Sequence, residues 1–123
     1  MNFNDNKAIY QQIAERIMDE IIAGKYTAGN RIPSVREYAA TMEVNANTVM
    51  RSYELLERSG IIFNRRGIGF FVDDEAPRII KEISYATFSI EELPYFFRRL
   101  ESFGFTPETL SEQYQSYLNN PDK

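Results

Sequence analysis

The stretch Asn30–Asp74, NRIPSVREYAATMEVNANTVMRSYELLERSGIIFNRRGIGFFVDD, decides the reading of this chain. Ser34 follows Pro33 and stands three residues before Glu37, the spacing of a capping box, in which two otherwise orphaned backbone donors are satisfied reciprocally. Val35, Tyr38, Ala39 and Met42 then recur at helical spacing, which predicts a short helix over Val35–Met42 with one buried face. Glu43 closes a turn and Val44 packs back on the core. Asn45 offers a second N-cap, with Thr48 at the N3 position. The helix that follows, about residues 46–58, divides cleanly. Val49, Tyr53 and Leu56 form its apolar side, and Ala46, Asn47, Met50, Arg51 and Glu54 form the other. Gly60 suits a left-handed helix end. Ile61-Ile62-Phe63 and Phe70-Phe71-Val72 flank Asn64-Arg65-Arg66-Gly67-Ile68-Gly69, and branched and aromatic residues around a glycine turn predict a β-hairpin.

Helix, turn, helix and basic hairpin in this order predict a helix-turn-helix with a wing over about residues 61–73. A helix with short polar side chains near its N-terminus can reach base edges in a major groove. Its free N–H groups and partial positive charge favour phosphate oxygens. Two arginines at a hairpin tip are costly as packing and useful as phosphate or minor-groove contacts. Net charge is −4, yet Gly24–Val72 holds seven basic residues (Lys25, Arg31, Arg36, Arg51, Arg58, Arg65, Arg66) against four acidic ones (Glu37, Glu43, Glu54, Glu57). For nucleic-acid binding the distribution of charge outweighs its sum.

The segment from Ile9 to Val72 resembles the DNA-binding domain of the GntR family of bacterial transcription regulators. The resemblance is carried by IAGKYTAGNRIPSVREYA, NTVMRSYELLERSGII and RRGIGFFV. The VNANTV stretch and the short tail look most like the YtrA-type subfamily, whose members end in a small helical dimerisation module. The resemblance implies a bacterial regulator, repressor in sense, that binds double-stranded operator DNA as a homodimer. It implies DNA contacts from Ser34, Arg36, Asn45, Ala46, Asn47, Thr48, Arg51, Arg65, Arg66 and Gly67. Capping alone accounts for Asn45 and Thr48; a surface ion pair with Glu37 or Glu43 is the alternative use of Arg36, but its place beside Ser34 matches the family motif and favours the DNA role. Well-known relatives carry guanine-reading arginines where this chain has Ala46 and Met50. That difference predicts an operator less centred on guanine, with more weight on backbone contacts and DNA shape.

The fold class expected is mainly α with a small β-hairpin: a winged helix-turn-helix domain over 1–75 and a short helical dimerisation module over 76–123. Ahead of the motif, Ile9, Ile13, Ile17 and Ile21 recur every four residues and predict an amphipathic helix over Lys7–Ala23, with Tyr10 as a half-buried core residue. Residues 1–6 are polar, with Phe3 as a potential packing residue. Pro77 suits a helix start, and Ile79, Ile80, Ile83 and Phe88 mark its apolar side. Ser89 reads as the cap of a further helix with Pro94 in its first turn, ended by Gly104. Thr106-Pro107-Glu108 opens the last one. So much Phe, Tyr, Leu and Ile in 48 residues cannot cover itself, and large uncovered apolar faces mark interfaces. A two-fold homodimer through Ile80, Ile83, Phe96, Phe97, Leu100 and Phe103 is the simplest completion. An unknown small-molecule effector at that seam is the competing use, and no convergent polar residues are placed for one.

The chain has no cysteine and no histidine, which removes thiolate and imidazole chemistry together: the common nucleophiles, general bases and zinc ligands. No catalytic residue, metal site or cofactor is expected. No apolar run approaches the roughly 20 residues that span a bilayer, and the start, MNFNDNKAIYQQ, lacks a secretion signal. A cytoplasmic protein, nucleoid-associated when bound, is the expectation, without a membrane partner. The rival reading is a winged-helix module that binds protein instead of DNA; retention of Arg36, Arg51, Arg65 and Arg66 together separates the two.

Overall fold

The computed structural model describes residues 7–121; the expectations for residues 1–6, Phe3 included, lie outside them. In order, the elements are α1 (Ile9–Ile22), α2 (Val35–Met42), α3 (Ala46–Arg58), β1 (Ile62–Arg65), β2 (Gly69–Val72), α4 (Ala76–Thr87), a π-helical turn (Phe88–Glu92), α5 (Leu93–Ser102) and α6 (Pro107–Asn119). The chain divides into two compact units between Ile83 and Ser84.

In the first unit, Ile13, Ile17 and Ile21 of α1, Tyr38 and Ala39 of α2, and Val49, Tyr53 and Leu56 of α3 make one core with Ile32, Ile61, Ile62 and Val72. The stripe predicted on α1 is buried from Ile13 onward, whereas Ile9 and Ile22 at its ends are exposed. Both helices of the pair stop in the same way. Val44 N–H donates to the Ala39 carbonyl and Ile61 N–H to the Leu56 carbonyl, each about a residue with positive φ, Glu43 and Gly60. This is a Schellman end, and its short reach makes the turns tight.

β1 and β2 pair antiparallel in the register Ile62↔Val72, Phe63↔Phe71, Asn64↔Phe70 and Arg65↔Gly69. Ile68 N–H donates to the Arg65 carbonyl at 2.9 Å across a turn with Gly67 at φ 78°. Its third position demands positive φ, where glycine has no Cβ to clash. A third strand-like segment was not foreseen. Ile32 N–H donates to the Phe70 carbonyl, Val72 N–H to the Asn30 carbonyl, and Arg31 bridges Phe71. The link before α2 thus becomes the edge of the wing.

The tail differs from expectation in two respects. The break between units falls after Ile83, not after Glu75, because Ala76 and Ile80 of α4 are buried in the first unit's core and Ile79 and Ile83 pack against it. Ile80, expected at a dimer interface, is 2% exposed and already covered by its own chain. Ser89 caps nothing: Thr87 keeps helical angles, and Leu93 N–H donates to the Phe88 carbonyl five residues back. Pro94 lacks an N–H, so the helix cannot continue with regular spacing through it, and the wider turn lies immediately ahead. Thr106 does cap α6, accepting from Thr109 N–H at 3.1 Å. Among the described residues from Ser84 onward, none is buried.

Candidate nucleic-acid interface

Ser34 caps α2 by a reciprocal pair: its hydroxyl accepts from Glu37 N–H at 3.1 Å, and its own N–H donates to the Glu37 carboxylate at 2.9 Å. The bond from the Ser34 backbone, then that with its side chain, holds the Glu37 carboxyl below its ordinary range. Glu37 is thereby occupied, and among the described residues no ion pair joins Arg36 to Glu37 or Glu43. Arg36 stands exposed in the first turn of α2.

On α3, Asn45 accepts from Asn47 N–H at 2.7 Å and so spends its side-chain oxygen on the cap. Ala46, Asn47, Met50 and Arg51 are exposed and Thr48 is half-buried. The opposite face puts Tyr53 wholly inside, its hydroxyl donating to the Pro33 carbonyl at 2.6 Å and its ring edge-on to Phe70 at 5.1 Å. α3 is therefore fixed to both the entry of α2 and the wing, and its polar face can point only outward. Arg51 has a partner the sequence did not assign: its guanidinium carbon lies 4.1 Å from the centroid of the Tyr10 ring. Ser52, one residue on, donates to the Tyr10 carbonyl at 2.7 Å. Tyr10 is half-buried as expected, and also serves as a platform for the recognition-helix arginine. The signal was a tyrosine on α1 with no hydrophobic reason to be aromatic, and its partner is 41 residues away.

On the wing, Arg65 closes β1 and Arg66, Gly67 and Ile68 form the exposed tip. The rings of Phe63 and Phe71 stack across the strands at 5.7 Å, and the Arg65 guanidinium lies over them at 5.9 and 5.3 Å. The exposed site residues thus lie on the outward faces of α2, α3 and the wing, three elements whose inward faces share one core.

A helix pair joined by a left-handed turn, with an outward polar face on the second helix and a basic hairpin behind it, defines a winged helix-turn-helix DNA-binding domain. The profile of the bacterial regulatory proteins of the gntR family matches residues 9–72. The chain belongs to the GntR family and is a DNA-binding transcriptional regulator, not an enzyme.

An uncharacterised HTH-type transcriptional regulator, YhcF of Bacillus subtilis, is 35% identical over 94% of this chain and 93% of its own length. The HTH-type transcriptional repressor YtrA of Bacillus subtilis is 38% identical over 60% of this chain and 57% of its own. A crystal structure of a GntR-family regulator from Bacteroides thetaiotaomicron superposes with a TM-score of 0.79 at 45% identity, over 94% of this chain and all of that one. The DNA-binding domain of AraR, solved with its operator ORX1, aligns over 58% of this chain and 88% of that one with a TM-score of 0.52 at 25% identity.

Proposed function

We propose that the protein is a repressor that binds a palindromic operator as a homodimer, with α3 in the major groove and the wing on the adjoining backbone. The observation that carries the DNA assignment is the basic set Arg36, Arg51, Arg65 and Arg66, all exposed, with Arg51 and Arg65 pre-oriented on aromatic rings. Orientation before binding reduces the entropy lost on contact. Ser34, Asn45 and Thr48 shape the helix ends that face phosphate, Gly67 lets the wing turn tightly, and Ala46 and Asn47 meet base edges. Similarity to the repressor YtrA supports the sense of regulation. Repression follows from occupying a promoter, in the cytoplasm on the nucleoid.

Dimerisation is supported by the second unit, whose aromatic residues have no cover: Phe96 and Phe97 are about half exposed and Phe103 is 69% exposed. Leu93, Phe96, Phe97, Pro107, Leu110 and Tyr114 line an apolar groove of about 370 Å³ between α5 and α6. Such a groove accepts side chains of a second copy more readily than a polar effector. An effector, where one acts, would alter the geometry of the pair.

The test is fluorescence anisotropy on the protein's own upstream DNA against scrambled duplex over a salt series, with Arg51→Ala and Arg65→Ala/Arg66→Ala in parallel. The expected result is preference for the upstream DNA, lowered by Arg51→Ala, and a steep salt slope reduced by about two in the wing variant. Absence of binding at low salt would overturn the reading in favour of a protein-docking winged helix.

A further inference from the structure

Arg31 lies in the link before α2, outside both recognition helix and hairpin. Its backbone pairs with Phe71, so Asn30–Ile32 runs as a third strand beside β2. Directly opposed residues in antiparallel strands share a face, and so do residues two apart. Arg31, Phe71, Phe63, Gly69 and Arg65 therefore share one face of the wing. Ile32, Ile62 and Val72 belong to the other, and all three are buried in the core. The face that carries both arginines is the outer one.

Gly69 shows where the Arg31 side chain goes. A Cβ at Gly69 would stand 2.7 Å from Arg31 Nε, 3.3 Å from Cζ and 3.4 Å from Nη2. The guanidinium therefore occupies the space beside Gly69 into which a side chain would project. Arg65, paired with Gly69 across the strands, lies over Phe71 and Phe63 on that face. Among the described residues neither arginine forms an ion pair. Two guanidinium groups are thus held at the root of the loop that presents Arg66; Glu37, whose carboxylate is already bound by Ser34, is near enough to feel the charge of Arg31 but forms no ion pair with it. Planar, weakly hydrated and pre-oriented cations of this kind suit phosphate oxygens.

We propose that Arg31 is a phosphate-contacting residue of the wing. The inference depends on the reading that this domain's wing meets duplex DNA. Arg31 would then be a sequence-independent anchor beside Arg65.

The test uses the full chain and two probes, a random-sequence duplex and the gene's own upstream duplex, each titrated across a potassium chloride series. Arg31→Gln keeps a polar side chain, though a shorter one, and removes the charge. It should raise Kd roughly three- to tenfold on both duplexes by the same factor, and lower the slope of log K against log salt by about one. Arg31→Lys should restore the slope. Wild-type affinity and slope in Arg31→Gln, alongside a loss in Arg51→Ala, would overturn the assignment of Arg31 alone. If Arg51→Ala and Arg65→Ala/Arg66→Ala also bind like wild type, the duplex-facing reading falls, and the Arg31 assignment with it.

Discussion

Glu43 is the one described non-glycine residue with positive φ, 56° with ψ 46°. An L side chain there crowds the following carbonyl, at a cost of roughly 1–2 kcal/mol that glycine avoids. Glycine forfeits part of this through the freedom it gains in the unfolded chain. Glu43→Gly should accordingly raise stability by about 0.5–1 kcal/mol, read as a shift in urea midpoint with unchanged slope; a loss of stability would mean that the Glu43 side chain makes a contact that matters. At this scale the caps were legible in the sequence. Ser34 with Glu37, and Asn45 ahead of α3, are joined over two or three residues, a distance that sequence spacing encodes directly. The Arg51–Tyr10 and Arg31–Gly69 contacts were not, because they join residues about 40 apart and exist only after α1 meets α3 and the link meets the wing.

The helix pair is locked by two tyrosines. Tyr38 and Tyr53 lie 6.4 Å apart between ring centroids, and the Tyr38 hydroxyl donates to Glu20 of α1 at 2.9 Å while Tyr53 reaches the Pro33 carbonyl. Burial pushes both phenols well above their ordinary value of 10.0; for Tyr38 the hydrogen bond to Glu20 adds to it, and for Tyr53 its neighbour Tyr38 does. Folded-state values raised above unfolded ones mean that the associated stability is complete below pH 10.0 and declines as pH rises beyond it. Each tyrosine should contribute a slope of up to about 1.4 kcal/mol per pH unit. Urea midpoints taken from about pH 9 to 11 should fall, and Tyr38→Phe should flatten the decline; a flat profile in the wild type would contradict the burial of these phenols. The two helices and the hairpin were legible from hydrophobic period and turn residues. The third strand and the π-helical turn were not. The first depends on β2 offering an edge to the link, and the second on a proline whose effect is exerted on the residues before it.

Over the whole chain, the contrast between the two units sets the assembly prediction. The first unit buries fifteen apolar residues among its described ones. The second buries none among its described residues, and its exposed aromatics include Phe96, Phe97, Phe103, Tyr114 and Tyr117. Helices of 10 and 13 residues are marginal alone in water. Phe96→Glu/Phe97→Glu should therefore convert a dimer to a monomer in sedimentation equilibrium and weaken operator binding steeply. The winged domain's own contact with scrambled duplex at low salt should persist. A variant that stays dimeric would place the interface elsewhere.

Periodicity, caps and turn glycines determined by themselves the element order from α1 to the wing, most of its core, and the residues that α2, α3 and the hairpin turn outward. These are local rules, and 3.6- and 2-residue periods state which face is buried without naming the partner. Tertiary structure alone decided three matters: that α4 gives Ala76 and Ile80 to the first unit, that Tyr10 carries Arg51, and that Arg31 joins the wing. An apolar residue such as Ile80 looks the same in sequence whether its own chain or a second copy covers it. Only the path of the backbone brings one of those surfaces within reach.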